Sequence, residues 1–225
     1  MLKPLDQPPA QLEWSADRLR DLDDVRVARP QRARGGSLVV DGWTATTWLE
    51  GFHEPRWGEI IAVGDRLHRA WRQFAEPAFL AAAEDPWAVA SRVAWDELPV
   101  APYTRHEPVR VLADAREPLV ARRQLIHSDL SGNVVFADPL PPAVLDFSPQ
   151  WRPPEYASAI VVADALLWAD ADPSAVELLA HIPDARQFLI RALLFRAVVD
   201  VIARAERGAE RPYGSEFERI LRVIL

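Results

Sequence analysis

The segment IHSDLSGNVVFADPLPPAVLDF, residues 126–147, limits the possible folds more than any other part of the chain. Asn133–Phe136 and Ala143–Phe147 are short runs of strand-forming residues, separated by the six turn-like residues 137–142. An antiparallel hairpin across that turn predicts Phe136 opposite Ala143 and, stepping outward, Asn133 opposite Asp146. Asp129 lies immediately before the open end, in a loop with Ser131 and Gly132 available for a tight turn. Asp129, Asn133 and Asp146 are therefore expected to converge on one small volume.

Two carboxylates and an amide oxygen suit a hard cation such as Mg²⁺, which takes few protein oxygens and completes its shell with water and phosphate. One carboxylate then remains free to orient a hydroxyl or accept its proton. Such a set suits phosphoryl transfer, where the protein mainly positions groups and neutralises charge. The competing reading of H-x-D-x-x-x-N is a polar turn in which Asp and Asn bond to local backbone.

Composition narrows the alternatives. The chain has no cysteine, which removes disulfides, thiolate zinc sites and cysteine nucleophiles. Its five histidines are scattered, with no H-x-H or H-x-x-x-H pair, so a metal-dependent hydrolase built on His127 and Asp129 lacks further ligands. A net charge of −7 argues against nucleic acid as a partner and is compatible with a cationic small molecule. The N-terminus lacks a basic-then-apolar signal pattern. Asp164, Arg191 and Arg196 interrupt the apolar stretches 156–169 and 188–203, so no membrane partner is expected and the protein reads as cytoplasmic.

The front of the chain is β-rich and the back mostly helical. Leu2–Leu5 reads as a strand, and Leu12, Ala16, Leu19 and Leu22 share one helical face. Strand-type runs follow, broken by turn signals at Gly35–Gly36 and Asp41–Gly42, so residues up to about Gly51 form a small antiparallel sheet with one helix. Ile60, Val63, Leu67 and Trp71 then mark a helix, in which His68 reads as a packing residue, and another runs over Pro86–Trp95. The proline-punctuated stretch 99–118 has no clear pattern. Helices are expected over 153–170, within DPSAVELLAHI at 172–182, and over 184–208 and 215–225.

HSDLSGNVVF followed by AVLDFS resembles the catalytic loop and metal aspartate of the aminoglycoside phosphotransferase and choline kinase-like family, relatives of protein kinases with the pattern H-G-D-x-x-x-x-N and then I-D-F/W. The resemblance implies Asp129 as catalytic base, His127 as the residue supporting the loop, and Asn133 and Asp146 as Mg²⁺ ligands. TTWLEG is similar to the family's hinge, implying that backbone groups of Thr47, Trp48 and Leu49 meet the adenine of ATP. LKP resembles the strand whose lysine contacts the α- and β-phosphates, making Lys3 its match, and Glu13 then matches the helix glutamate that pairs with that lysine. RVARPQRA, DGWTATTWLEG and PPEYASAIVVADALLW are together similar to a subgroup of actinobacterial members of that superfamily, and the arginine-, alanine-, proline- and tryptophan-rich composition suits a high-GC genome.

The implied fold is α+β: a protein kinase-like two-lobe fold, with a truncated β lobe plus one helix over residues 1–50. A mostly helical lobe over residues 51–225 carries the catalytic-loop hairpin. The implied activity is ATP- and Mg²⁺-dependent transfer of phosphate to a small-molecule hydroxyl.

Three departures stand out. No strand, glycine-rich turn and strand precede Lys3, which leaves its strand as an exposed edge and suggests a catalytically weak or inactive kinase-like interaction module as the alternative. Ala157 stands where many relatives have an aspartate bracing the catalytic loop, with Asp164 two turns later as a candidate replacement. Ser128 replaces a glycine and is expected to be tolerated.

Overall fold

The computed structural model describes residues 1–206 and 215–224; the expected helix end at 207–208 and Leu225 lie outside the described residues. Strand β1 (Leu2–Pro4) leads into helix α1 (Pro9–Arg18), which ends before Leu19 because that residue is extended. Leu22 therefore leaves the predicted helical face and bridges to Val25.

Strand β2 (Arg26–Val27) is followed by β3 (Val39–Val40) and β4 (Trp43–Ala45). Asp41 and Gly42 join the last two with φ of 51° and 79°, the positive values a tight two-residue hairpin turn requires. These strands and β1 form a sheet in the order β1-β4-β3, with Lys3 opposite Thr44.

Helix α2 (Trp57–Trp71) buries Ile60, Val63, Leu67 and Trp71, as their spacing predicts. A single turn, α3 (Ala78–Ala81), precedes α4 (Pro86–Ala94), whose Asp85 cap accepts from the N–H groups of Trp87 and Ala88. The unpatterned stretch resolves into a 3₁₀ turn (Ala101–Tyr103) and α5 (Glu107–Asp114). Strands β5 (Gln124–His127), β6 (Val134–Ala137), β7 (Leu140–Val144) and β8 (Pro149–Arg152) follow. The chain finishes with α6 (Pro154–Trp168), a 3₁₀ segment (Pro173–Leu179) in place of a predicted helix, α7 (Ala185–Glu206) and α8 (Ser215–Ile224).

Helix α6 is apolar on every side and buries twelve residues, from Tyr156 to Leu167, as expected of a helix surrounded by others. It packs on α7 and α2, while α4 and α5 cover α7. The catalytic-loop strands rest on this core through Leu125, Ile126, Leu130 and Val134, each at most 1% exposed.

Two predicted pairings change. Strand β2 leaves the front sheet and runs parallel to β7, with Arg26 opposite Ala143 and Val27 opposite Val144. That pairing buries Val25 and Val27 and satisfies the second edge of β7, while Arg26 Nε donates to the Pro141 carbonyl at 2.8 Å. The hairpin register also shifts by one: Val135, not Phe136, faces Ala143, and the turn shrinks to Asp138–Pro139 with a cis peptide. Opposite Phe136 the ladder carries two residues, Pro141 and Pro142, so the bulge lies in β7, while the Phe136 N–H and carbonyl bond on the other side to Phe52, both at 2.9 Å. Asn133 therefore faces Leu145, whose N–H donates to its carbonyl at 2.9 Å, and not Asp146.

The strand bond at Phe52 depends on Gly51. Its φ is 149°, and a Cβ there would lie 2.9 Å from both the Phe136 carbonyl oxygen and Val135 Cγ2. Replacing Gly51 with alanine is expected to destabilise the fold by more than about 1 kcal/mol, visible as a lower urea midpoint at unchanged slope.

Candidate active site

The loop between β5 and β6 turns sharply at Leu130, whose carbonyl accepts from the N–H groups of Asn133 and Val134 at 3.0 and 3.1 Å. Leu130 plugs the loop into α2 opposite Gly64, where a Cβ would lie 2.6 Å from Leu130 Cδ1. Burying that side chain contributes roughly 1.5–3 kcal/mol toward holding the loop on the helical core. Ser128 fits without a positive φ; its N–H and hydroxyl donate to the Ser148 carbonyl at 2.8 and 3.0 Å.

His127 joins the two functional segments. Its Nδ1 accepts from the Asp129 N–H at 3.2 Å, and its Nε2 donates to the Asp146 carbonyl. Burial holds its pKa below the ordinary histidine value, so the ring is neutral, as this donor and acceptor pattern requires.

His68, expected only to pack, accepts the His127 N–H on Nε2 at 3.0 Å from within α2. Burial pushes its pKa down to about 3. The unfolded state binds a proton below about pH 6.5 that the folded state refuses until about pH 3. The stabilisation is thus complete above pH 6.5 and declines at up to about 1.4 kcal/mol per pH unit as the medium is acidified toward pH 3. In urea titrations at pH 7, 5.5 and 4, His68→Gln, which keeps an acceptor but cannot charge, is expected to lose less stability with acidification than wild type.

Asp129 is held on both oxygens. Asn133 Nδ2 donates to Oδ2 at 3.0 Å and to the Asp129 carbonyl at 2.7 Å, while Arg196 Nη2 donates to Oδ1 at 2.9 Å. Arg196 comes from α7, is 5% exposed, and makes a second, bidentate contact to Asp164 of α6 at 2.8 and 2.6 Å. Burial lowers the guanidinium's pKa, but Asp164 and Asp129 outweigh it, so the value lies above the ordinary one. Burial pushes the Asp164 carboxyl up, against the pull of Arg196; a guanidinium charged throughout the accessible pH range keeps the pair ionic at neutral pH.

Asp146 meets the front of the chain: Lys3 Nζ donates to its Oδ1 at 2.8 Å and also contacts Asp6 at 3.1 Å. Burial lowers the lysine's pKa, yet the two carboxylates raise it further, and the result lies above the ordinary value. The neighbouring Phe147 stacks on Trp14 of α1, with ring centroids 5.6 Å apart and an 8° interplanar angle, and meets Trp71 edge-on. Gln11 Nε2 also donates to the Phe147 carbonyl at 3.1 Å, so α1 is pinned beside Asp146.

Lys3, Asp129 and Asp146 line one cleft of about 610 Å³. Trp87 and Glu97 also line it. Burial raises the Glu97 carboxyl, but bidentate Arg152 and the adjacent Arg123 bring it below its ordinary range.

The other expected nucleotide contacts lie apart from this cleft. Glu13 does not pair with Lys3: it accepts from Arg32 at 2.7 Å on the exposed side of α1. Thr47, Trp48 and Leu49 are not part of the cleft lining. Thr47 N–H donates to the Arg29 carbonyl at 2.9 Å, and Trp48 is 74% exposed.

No cluster of three or more His, Cys, Asp or Glu side chains suited to a metal occurs among the described residues. The donors that fit a divalent cation are the Asn133 Oδ1, left over when Nδ2 faces Asp129, and the Asp146 carboxylate, of which only Oδ1 is engaged by Lys3. Both are oxygen donors of the kind Mg²⁺ takes alongside phosphate and water, but of the two only Asp146 lines the cleft.

A small antiparallel sheet with one helix, joined to a mostly helical body that carries a loop-and-hairpin site, is the protein kinase-like α+β fold. The chain is similar in structure to spectinomycin phosphotransferase APH(9)-Ia, solved in complex with ADP and spectinomycin: the TM-score is 0.58 at 13% identity, over 98% of this chain and 80% of that one. At that identity the likeness carries the fold alone. No protein-family model and no curated protein matches the sequence. Among the described residues no helix is long and apolar enough to cross a membrane.

Proposed function

We propose that this protein transfers the γ-phosphate of ATP to the hydroxyl of a small molecule. The observation that carries the reading is the meeting of Asp129, Asp146 and the Lys3 ammonium in one cleft, with Asn133 bonded to Asp129. Residues 1–50 form the nucleotide side and residues 51–225 the catalytic-loop side. Lys3, held at the cleft by Asp146 and Asp6, meets the α- and β-phosphates. Thr47, Trp48 and Leu49 lie outside the cleft lining, so no adenine contact is assigned to them.

Asn133 and Asp146 would hold Mg²⁺, which supplies charge neutralisation on the β- and γ-phosphates. Asp129 orients the substrate hydroxyl and takes its proton. The hydroxyl oxygen forms a bond to the γ-phosphorus as the bond from that phosphorus to the bridging β-oxygen breaks, and ADP leaves.

The spectinomycin bound by the structural neighbour and this chain's acidity direct the acceptor search to amino-sugars, aminoglycosides and amino alcohols. ADP release from MgATP across that panel, with wild type and Asp129→Ala side by side, tests the reading; absence of Asp129-dependent turnover with every acceptor overturns it. MgATP is further expected to raise the melting temperature, in line with about 2.7 kcal/mol of stabilisation at a hundredfold excess over Kd. Nucleotide binding without Asp129-dependent turnover would identify a kinase-like binding module instead.

A further inference from the structure

We propose that Arg196, anchored by Asp164, is a positioning residue that sets the orientation of the Asp129 carboxylate for proton transfer. The proposal rests on the reading of Asp129 as base. Arg196 and Asp164 project from α7 and α6, the two best-buried helices, and both side chains are at most 5% exposed. Nε and Nη2 take the two Asp164 oxygens, and Nη2 reaches on to Asp129 Oδ1 at 2.9 Å. The guanidinium is also confined between aromatic faces, 5.0 Å from the Phe195 centroid and 5.3 Å from that of Trp168.

The carboxylate is consequently gripped from two directions, by Arg196 on Oδ1 and by Asn133 on Oδ2. Rotating it about its last torsion breaks at least one of these bonds. Each oxygen keeps a second lone pair, so a substrate hydroxyl can still be received. Stability alone is a weak reason for a buried ion pair, since apolar replacements of similar size are often neutral or better. A pair whose free edge ends on a half-exposed carboxylate in the cleft has a reason in function: loss of alignment by about 1 Å can lower a rate about a hundredfold. Lysine replaces the fork only in part, because a single ammonium keeps the charge but does not reproduce a planar bidentate contact to Asp164 together with a third bond to Asp129.

The test measures ADP release from MgATP with the acceptor panel for wild type, Arg196→Met, Arg196→Lys and the double variant Asp164→Leu/Arg196→Met, the last removing both buried charges so that folding is kept. The expected result is a kcat roughly 10- to 100-fold lower in the double variant, with KM for MgATP within about threefold of wild type. Arg196→Lys is expected to recover part of the loss. In an Asp129→Ala background, removing Arg196 and Asp164 is expected to produce no further loss, because the pair acts through Asp129. A folded double variant with wild-type kcat, a loss confined to KM, or additive losses with Asp129→Ala overturns the positioning role and leaves the base reading intact. Wild-type turnover that does not depend on Asp129 overturns the base reading and the positioning role with it.

Discussion

Asp129→Ala is expected to lower kcat for phosphoryl transfer by about 10²–10⁴-fold, the range supplied by a positioned general base. The loss falls on kcat more than on KM for MgATP, because the carboxylate faces the acceptor and is bonded to Asn133 and Arg196, whereas Lys3 and Asp146 form the other part of the site. The fold tolerates the change, since the Asp129 side chain is 44% exposed and Arg196 keeps its bidentate partner Asp164. Steady-state kinetics together with unchanged urea unfolding check the prediction; equal losses in kcat and stability would instead make Asp129 a structural residue.

The second large effect is on stability. Arg196→Met alone leaves Asp164, 4% exposed, as an uncompensated buried carboxylate, and is expected to destabilise the fold by about 3–5 kcal/mol. Adding Asp164→Leu removes the stranded charge and is expected to restore most of that loss, because apolar groups of similar volume pack between α6 and α7 without desolvation cost. The non-additivity is the signature: the double variant is more stable than the single one. Equilibrium unfolding in urea at pH 7 measures all three chains, and an Arg196→Met variant within about 0.5 kcal/mol of wild type would contradict a buried ionic pair.

Those two charges were visible in the sequence as interruptions of apolar stretches, IVVADALL and LLFRAVV. Asp and Arg are rarely buried unless paired, so Asp164 in one apolar helix and Arg191 and Arg196 in the other were a signal for an ion pair, without saying which arginine makes it. It did not identify the third member: the contact from Arg196 to Asp129 spans 67 residues and depends on how α7 lies against the catalytic loop. His68 illustrates the same limit. Its apolar helical setting predicts burial, which is correct, but the bond it receives from His127 comes from a strand packed across α2.

What the sequence by itself determined is local: the two strand runs that become β6 and β7, the Asp41–Gly42 hairpin turn, the proline that starts α4, and the polar set Asp129, Asn133 and Asp146. Each follows from residues a few positions apart, through turn geometry, helix-start preference and periodicity. Tertiary structure decided the partners. Phe52 pairs with the outer edge of Phe136, the hairpin register lies one residue from the expected one, and β2 leaves the front sheet to complete the second edge of β7. Glu13 goes to Arg32 while Lys3 goes to Asp146. Buried backbone groups must find hydrogen bonds and buried charges must find opposite charges, and which ones are within reach is set only when distant segments pack together.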